Sequence, residues 1–384
     1  MIEVFRPQKQ RGMKLTESQL SRILKLRRQL HARPEMAGQE RQTALLLYQF
    51  FQGMKSWKIT RDIGGHGMMA TFSSRNKGPV IAFRAELDAL CCGENNKAAH
   101  LCGHDGHMAI LAALALMIND KPLDCGKVVL LFQPAEENGS GAQRMLDDRK
   151  LKTFSPDFIY ALHNIPGEKE TTVLVREGDF SSSVQSLVLN LDGQESHAAE
   201  PEKGINPVKL IGELIQLCSN LEEKDPAHPD YCQITITYVN AGKIAHGTAA
   251  GQGLMHMTFR THDPDNMERV GSTFLQSAQR LATSHGIEAA WNWVEAFPSV
   301  SNDPLAVEKL IKAAKGSGLK LKKLEYPYRW GEDFGHFSRK FPSAMAGIGA
   351  GKKTAPLHSI DYHFPDLIIE TAASLLYQLI PRNS

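Results

Sequence analysis

Four short apolar runs constrain this chain more than any other feature: residues 80–84, 128–132, 158–162 and 344–348, dominated by valine, isoleucine, leucine, phenylalanine and alanine. They lack polar–apolar alternation, so each reads as a strand buried on both faces. Helical stretches at 108–118 and 365–379 separate or follow them, the second with Pro365 in its first turn, where a missing N–H is tolerated. Buried strands alternating with helices define an α/β fold with a mainly parallel sheet flanked by helices. Ahead of the sheet, Thr16 and Gln19 have capping-box spacing, and Leu20, Ile23, Leu26 and Leu30 follow at helical intervals until Pro34 stops the helix. A second helix is expected over 39–51.

The middle of the chain has a different rhythm. Residues 186–191 read as a strand, 206–221 as a helix, 233–239 and 254–261 as strands, 264–285 as a helix and 287–294 as a strand. That order is the ferredoxin-like α+β pattern. It interrupts the α/β part, so we expect an inserted domain at 180–297 and a first domain made of 14–179 and 298–384. With 384 residues, the chain exceeds the roughly 250–300 at which single cores stop growing.

Charge narrows the partners. Lysine plus arginine number 44 against 42 acidic residues, a net charge of +2, which argues against nucleic-acid and membrane-surface partners. No apolar run approaches the ~20 residues of a membrane span. The first residues carry charge with no hydrophobic stretch behind them, unlike a secretory signal. Residues 1–13 read as a frayed extension, with Met13 as an alternative start, and the expected location is cytoplasmic. Six cysteines in a chain this long are too few for a disulfide scaffold, so a cysteine beside histidines reads as a ligand or nucleophile.

The densest chemistry is His100-Leu-Cys102-Gly-His104-Asp105-Gly-His107. Cys102 and His104 are two apart, so an extended segment would point both to one side. Three further places strengthen a metal reading. The 128–132 strand runs into Gln133-Pro-Ala-Glu136-Glu137, the 158–162 strand ends in His163-Asn164, and His358 follows the 344–348 strand. Ligands bind outside the carboxyl ends of strands in open α/β sheets, so these points are expected to converge. Imidazole, carboxylate and thiolate suit zinc, manganese, cobalt or nickel. Adjacent glutamates permit a division of labour in which one coordinates and its neighbour acts as general base. Asp88 and Asp105 are candidates to orient ligating histidines.

These residues resemble the amidohydrolase branch of the aminoacylase and carboxypeptidase family of co-catalytic metallopeptidases, the branch of hippurate hydrolases, indole-acetyl-amino-acid hydrolases and N-acetyl-diaminopimelate deacetylases. The resemblance runs from His31-Ala-Arg-Pro34-Glu35 through Arg84-Ala-Glu86-Leu-Asp88, the Cys102 cluster, Gln133 to Glu137, His163-Asn164, Ser196-His197 and Gly331-Glu332-Asp333-Phe334 to Leu357-His358-Ser359. It implies a zinc-exopeptidase-like catalytic domain holding two divalent metal ions (Mn, Zn, Ni or Co). Cys102 would bridge them, with His104, Glu137, His163 and His358 completing the ligand set and Glu136 as general base. It also implies that the inserted domain serves dimerisation and acts as a lid, in a homodimer where His197 reaches the partner's site to stabilise the oxyanion. Arg260, with His246 near where relatives use an asparagine, would hold the substrate carboxylate.

Besides His246, the chain departs from the family pattern in three places. The loop between Leu90 and His100 is short, Glu86 stands where aspartate is commoner, and Glu202 follows Pro201 where histidine is frequent. The expected function is deacylation of small N-acyl amino acids. Its rivals are a dipeptidase or exopeptidase on the same scaffold, a cysteine hydrolase using Cys102 as nucleophile, and a non-catalytic binding module.

Overall fold

Each of the four apolar runs is a strand, and each extends past its expected end: Val80–Glu86, Lys127–Gln133, Phe158–Pro166 and Ser343–Gly351. The structure is a computed structural model that describes residues 12–92 and 97–381. Residues 93–96 of the shortened loop and residues 1–11, most of the expected N-terminal extension, lie outside the described residues. Of that loop, Leu90–Cys92 pairs antiparallel with Lys97–Ala99.

The chain divides into two units, the first comprising residues up to Phe180, Val300–Glu325 and the chain from Asp333, the second Ser181–Ser299 with Tyr326–Glu332. In the first unit, eight strands form one sheet. Its spatial order is Trp57–Ile63, Gly67–Ser73, Lys127–Gln133, Val80–Glu86, Phe158–Pro166, Ser343–Gly351, Val173–Val175, Leu321–Lys323. The four long apolar strands lie side by side and run parallel. Antiparallel pairing enters at the edges, through Trp57–Ile63 with Gly67–Ser73 and through Val173–Val175 against Ser343–Gly351. These edge strands leave no signal in the sequence. Trp57–Ile63 buries only its two ends, and Val173–Val175 has three residues, so neither leaves a run that periodicity can detect.

Helices behave as their caps direct. Glu17–His31 opens on the Thr16–Gln19 capping box, both halves of which are formed. The second helix spans Arg41–Gln52. His104–Asp120 is apolar almost all round and buried from His104 to Ile118, as a helix enclosed by its neighbours must be. It packs against Glu17–His31 and Ile368–Gln378. Two helix starts differ from expectation. The buried helix begins at His104 rather than 108, because Gly103 turns the chain in the left-handed region (φ 93°). The last helix begins at Ile368, with Pro365 three residues ahead of it rather than in its first turn.

In the second unit the strands Ser183–Asp192, Cys232–Ala241, Gln252–Thr261 and Glu288–Phe297 alternate with helices Pro207–Leu221 and Pro264–Ser284 in the expected order. All pairings are antiparallel, and in sequence order the strands lie 2-3-1-4, the ferredoxin-like arrangement. Asn206 and Asp263 cap the two helices through their side chains, each with proline at the first turn. Leu187, Leu189, Leu191, Leu210, Leu214, Phe259 and Phe274 build this unit's own core.

Candidate metal centre

The sheet sets the site by where its parallel strands end. Val80–Glu86 leads to Asp88, Lys127–Gln133 leads to Glu136 and Glu137, Phe158–Pro166 carries His163, and Ser343–Gly351 leads to the loop of His358. The buried helix brings in the rest. Cys102 and His104 flank Gly103, and His104 is the first helical residue. The extended geometry expected for this pair is therefore a turn, and a left-handed glycine rather than strand alternation sets the direction of the two side chains. A Cβ at Gly103 would stand 2.5 Å from Asn164 Oδ1 and 2.8 Å from Tyr362 Oη.

Five of the residues singled out as ligands, with Glu136, come together here. Cys102, His104 and His163 offer atoms within 4.8 Å of one another, as do Cys102, Glu137 and His358, and His104, Glu136 and Glu137. Cys102 is common to the first two groups. Its Sγ lies 3.5 Å from His163 Nε2, while His104 Nε2 lies 3.7 Å from Glu137 Oε1 and 3.8 Å from Glu136 Oε2. With metal bonds of ~2.0–2.3 Å, two ligands on one tetrahedral ion stand about 3.3–3.7 Å apart. His358 is held by its backbone, whose N–H donates to Leu101 O at 2.9 Å with φ at 67°.

The histidines are oriented as metal ligands require. Nδ1 of His104 donates to the Asp88 main-chain carbonyl at 2.9 Å, and Nδ1 of His163 to the Asn164 carbonyl at 2.9 Å. With Nδ1 so engaged, Nε2 of each ring faces the cluster. His163 presents it as a lone pair, while His104, which burial would lower but Cys102 and Asp88 raise well above its usual value, frees its own when a metal displaces the proton. His104 Nε2 is buried without a hydrogen-bond partner, an arrangement that is costly unless something electrophilic is bound there. Burial, reinforced by the nearby His107, lowers His163 to about 3, so its imidazole is neutral at ordinary pH. Burial and the Glu137 carboxylate push the Cys102 thiol up to about 12. A metal-free Cys102 is thus a protonated thiol, a poor nucleophile by itself.

Asp88 serves the site three ways. Its carbonyl holds His104, its Oδ2 accepts from the Glu137 N–H at 2.8 Å, and its Oδ1 lies 3.6 Å from His104 Nδ1. Asp105, the other candidate, does not orient a ligand: it pairs with Arg27 at 3.1 Å and His31 at 2.9 Å. Behind the ligands runs a buried polar chain that the sequence did not reveal. His107 joins Glu86 at 2.7 Å and Asn164 at 2.6 Å, and Asn164 donates to Tyr362 Oη. Glu86 also pairs with Arg84, which reaches Asp333 Oδ1 at 2.7 Å. Burial alone would raise the Glu86 carboxyl, but Arg84 and His107 hold it well below the usual carboxylate range.

The remaining candidates belong to the second unit. His197 is exposed on a two-residue strand paired with Thr248–Ala249, and its Nδ1 accepts from Ala199 N–H. His246 is exposed in the loop before that strand. Arg260 lies near the end of Gln252–Thr261 and donates to Arg329 O at 2.9 Å.

The model of peptidase family M20/M25/M40 matches residues 82–382. The chain belongs to this family. M20 relatives include an N-acetylcysteine deacetylase of Bacillus subtilis, 28% identical, with the alignment covering 86% of this chain and 88% of the relative. An N-acetyldiaminopimelate deacetylase of Bacillus pumilus is 26% identical over 92% and 96% of the two chains. Among solved structures, a Bacillus subtilis dinuclear metal-binding peptidase of the M20 family superposes with a TM-score of 0.79 at 26% identity, covering 95% of this chain and 98% of its own. Among the described residues, no helix of this M20 member is long and apolar enough to cross a membrane.

Proposed function

We propose that this chain is a metal-dependent amidohydrolase that removes the acyl group from small N-acyl amino acids. The observation that carries the reading is a buried cysteine common to two ligand groups, with two histidine Nε2 atoms directed at the cluster and two adjacent carboxylates beside it. Cys102, His104, Glu137, His163 and His358 would hold two divalent cations, among manganese, zinc, nickel and cobalt. When bound, such ions would supply Lewis acidity, polarising an amide carbonyl and acidifying water.

Protein groups supply the rest. Glu137 shares a ligand group with Cys102 and His358, which suits it to coordination. Glu136, absent from that group, is left to take the proton of the attacking water and deliver it to the leaving amine nitrogen. Asp88 fixes both His104 and the Glu137 main chain, which keeps the site within the tolerance that hydrolysis demands. In the second unit, His197 stabilises the oxyanion, and Arg260 with His246 receives the substrate carboxylate. His197 is exposed on its own chain, as a residue that serves a partner subunit in a homodimer must be. Deacetylase relatives support the N-acyl amino acid class, and the dinuclear M20 structure supports a pair of metals.

Release of free amino acid from N-acetyl, N-benzoyl and indole-acyl amino acids and from dipeptides, on stripped protein with and without manganese or zinc, tests this reading. Metal-restored cleavage of one acyl class supports it. Cleavage confined to dipeptides would make the chain a dipeptidase. Turnover that survives chelation but not thiol alkylation would transfer the chemistry to Cys102.

A further inference from the structure

We propose that Glu40 is a positioning residue for Glu136, clamping the left-handed turn that aims the base. The inference rests on the reading of Glu136 as general base. It starts from an oddity at the helix Arg41–Gln52. Glu40 occupies its N-cap, yet makes no capping hydrogen bond through its side chain. The cap comes from Glu35 instead, whose Oε1 accepts from Gln42 N–H at 3.1 Å and whose Oε2 accepts from Thr43 N–H and Oγ1 at 2.8 and 2.9 Å. That leaves the Glu40 carboxyl for something else.

It turns inward. Glu40 is fully buried, and its Oε1 accepts from Gly38 N–H at 2.6 Å and from Ala135 N–H at 2.8 Å, 95 positions away. Ala135 immediately precedes Glu136 and sits at φ 53°, a region that an alanine enters only when its surroundings hold it there. The turn is tied beyond that point by Gly139 N–H to Glu136 O at 2.8 Å and Gly141 N–H to Ala135 O at 3.0 Å. On its entry side, the Pro134–Ala135 peptide donates to Glu40. A buried carboxyl is costly unless hydrogen-bonded; Oε2 of Glu40 is buried without a partner, and one of the two bonds that Oε1 accepts goes to the peptide next to the base.

The same segment braces the neighbouring loop. Glu35 O accepts from Ala89 N–H at 2.8 Å, beside Asp88, which in turn receives Glu137 N–H. Residues 35–40 thus hold both sides of the turn carrying Glu136 and Glu137. The stretch from His31 to Glu35, which the metal chemistry itself does not use, acquires a purpose as the root of this brace. Both main-chain hydrogen bonds fall on the single oxygen Oε1, so the amide oxygen of a side chain of the same length can accept both.

Length and acceptor capacity, not charge, should therefore decide the outcome. Glu40→Gln keeps the acceptor oxygen at the same reach, while Glu40→Asp keeps the acid but falls short of Ala135. The first readout is hydrogen exchange of the 133–140 segment in metal-free protein, which is independent of catalysis. Glu40→Gln should exchange like the parent, and Glu40→Asp tenfold or more faster. With manganese and N-acetyl-L-methionine, kcat should fall tenfold or more in Glu40→Asp at a KM within threefold, and Glu40→Gln should stay within threefold of the parent in both. Unchanged exchange and turnover in Glu40→Asp would overturn the proposal, as would a Glu40→Gln variant impaired as deeply as the aspartate. Glu136→Gln, run in parallel, separates the two claims. If it is inactive while Glu40→Asp is normal, the positioning role alone fails; if it turns over, the base assignment fails and the positioning role with it.

Discussion

Cys102 concentrates the chemistry of the centre at a single atom. Without metal it is a buried thiol raised to about 12, whereas the ligand form is the thiolate. Loading near neutral pH must therefore expel its proton, and protons compete with the metal. Apparent affinity should rise with pH, by about tenfold per unit for one displaced proton. His163, lowered to about 3, contributes none over that range. Burial opposes it, but Cys102 and Asp88 raise His104 well above the usual histidine value, so it too gives up a proton to a metal. Calorimetric titration with manganese in buffers of different ionisation enthalpy should report at least one proton released per site, and a value of zero would contradict this assignment. The candidate ligands stood out in the sequence because cysteine, histidine and paired glutamates are conspicuous where apolar strands end. Glu40 was not, because its partner is a main-chain N–H 95 positions away, to which side-chain patterns carry no clue.

At the scale of elements, the start of the buried helix is the critical junction. Gly103 caps it in the left-handed region, between Cys102 and His104, and a Cβ there would press on Asn164 and Tyr362. Gly103→Ala should cost about 1–3 kcal/mol of stability, as forced left-handed strain does. It should also weaken metal binding, because Asn164 belongs to the polar chain behind His107. Thermal melts with metal titrations check both, and a variant that binds manganese like the parent would show that the turn does not set the ligand geometry. The sequence revealed the cluster but not this turn. Two residues on either side of a glycine suit an extended segment equally well, and the atoms that crowd this position, on Asn164 and Tyr362, are remote in sequence. The long apolar strands and the alternating second unit were legible because their patterns span whole elements. The edge strands were not, since short or mostly solvated segments leave no period to read.

For the whole molecule, the site joins loops that are far apart in the chain, so metal and fold support each other. A ligand that binds only the folded state stabilises it by about 2.7 kcal/mol at a hundred times its Kd. Saturating manganese should accordingly raise the Tm of stripped protein by several degrees, and scanning calorimetry showing no shift would argue against a centre built into the fold. The homodimer proposed from His197 should sediment at about twice the 42.5 kDa chain. His197→Ala should then lower kcat about a hundredfold or more while metal content stays unchanged, in line with loss of one oxyanion donor. The most direct test of the central claim is turnover of the N-acyl amino acid panel by manganese-loaded Glu136→Gln beside the parent, with metal content measured in both. Both proteins should carry full metal occupancy, with cleavage by the parent and at least a thousandfold loss in the variant. Substantial cleavage by metal-loaded Glu136→Gln would contradict that claim.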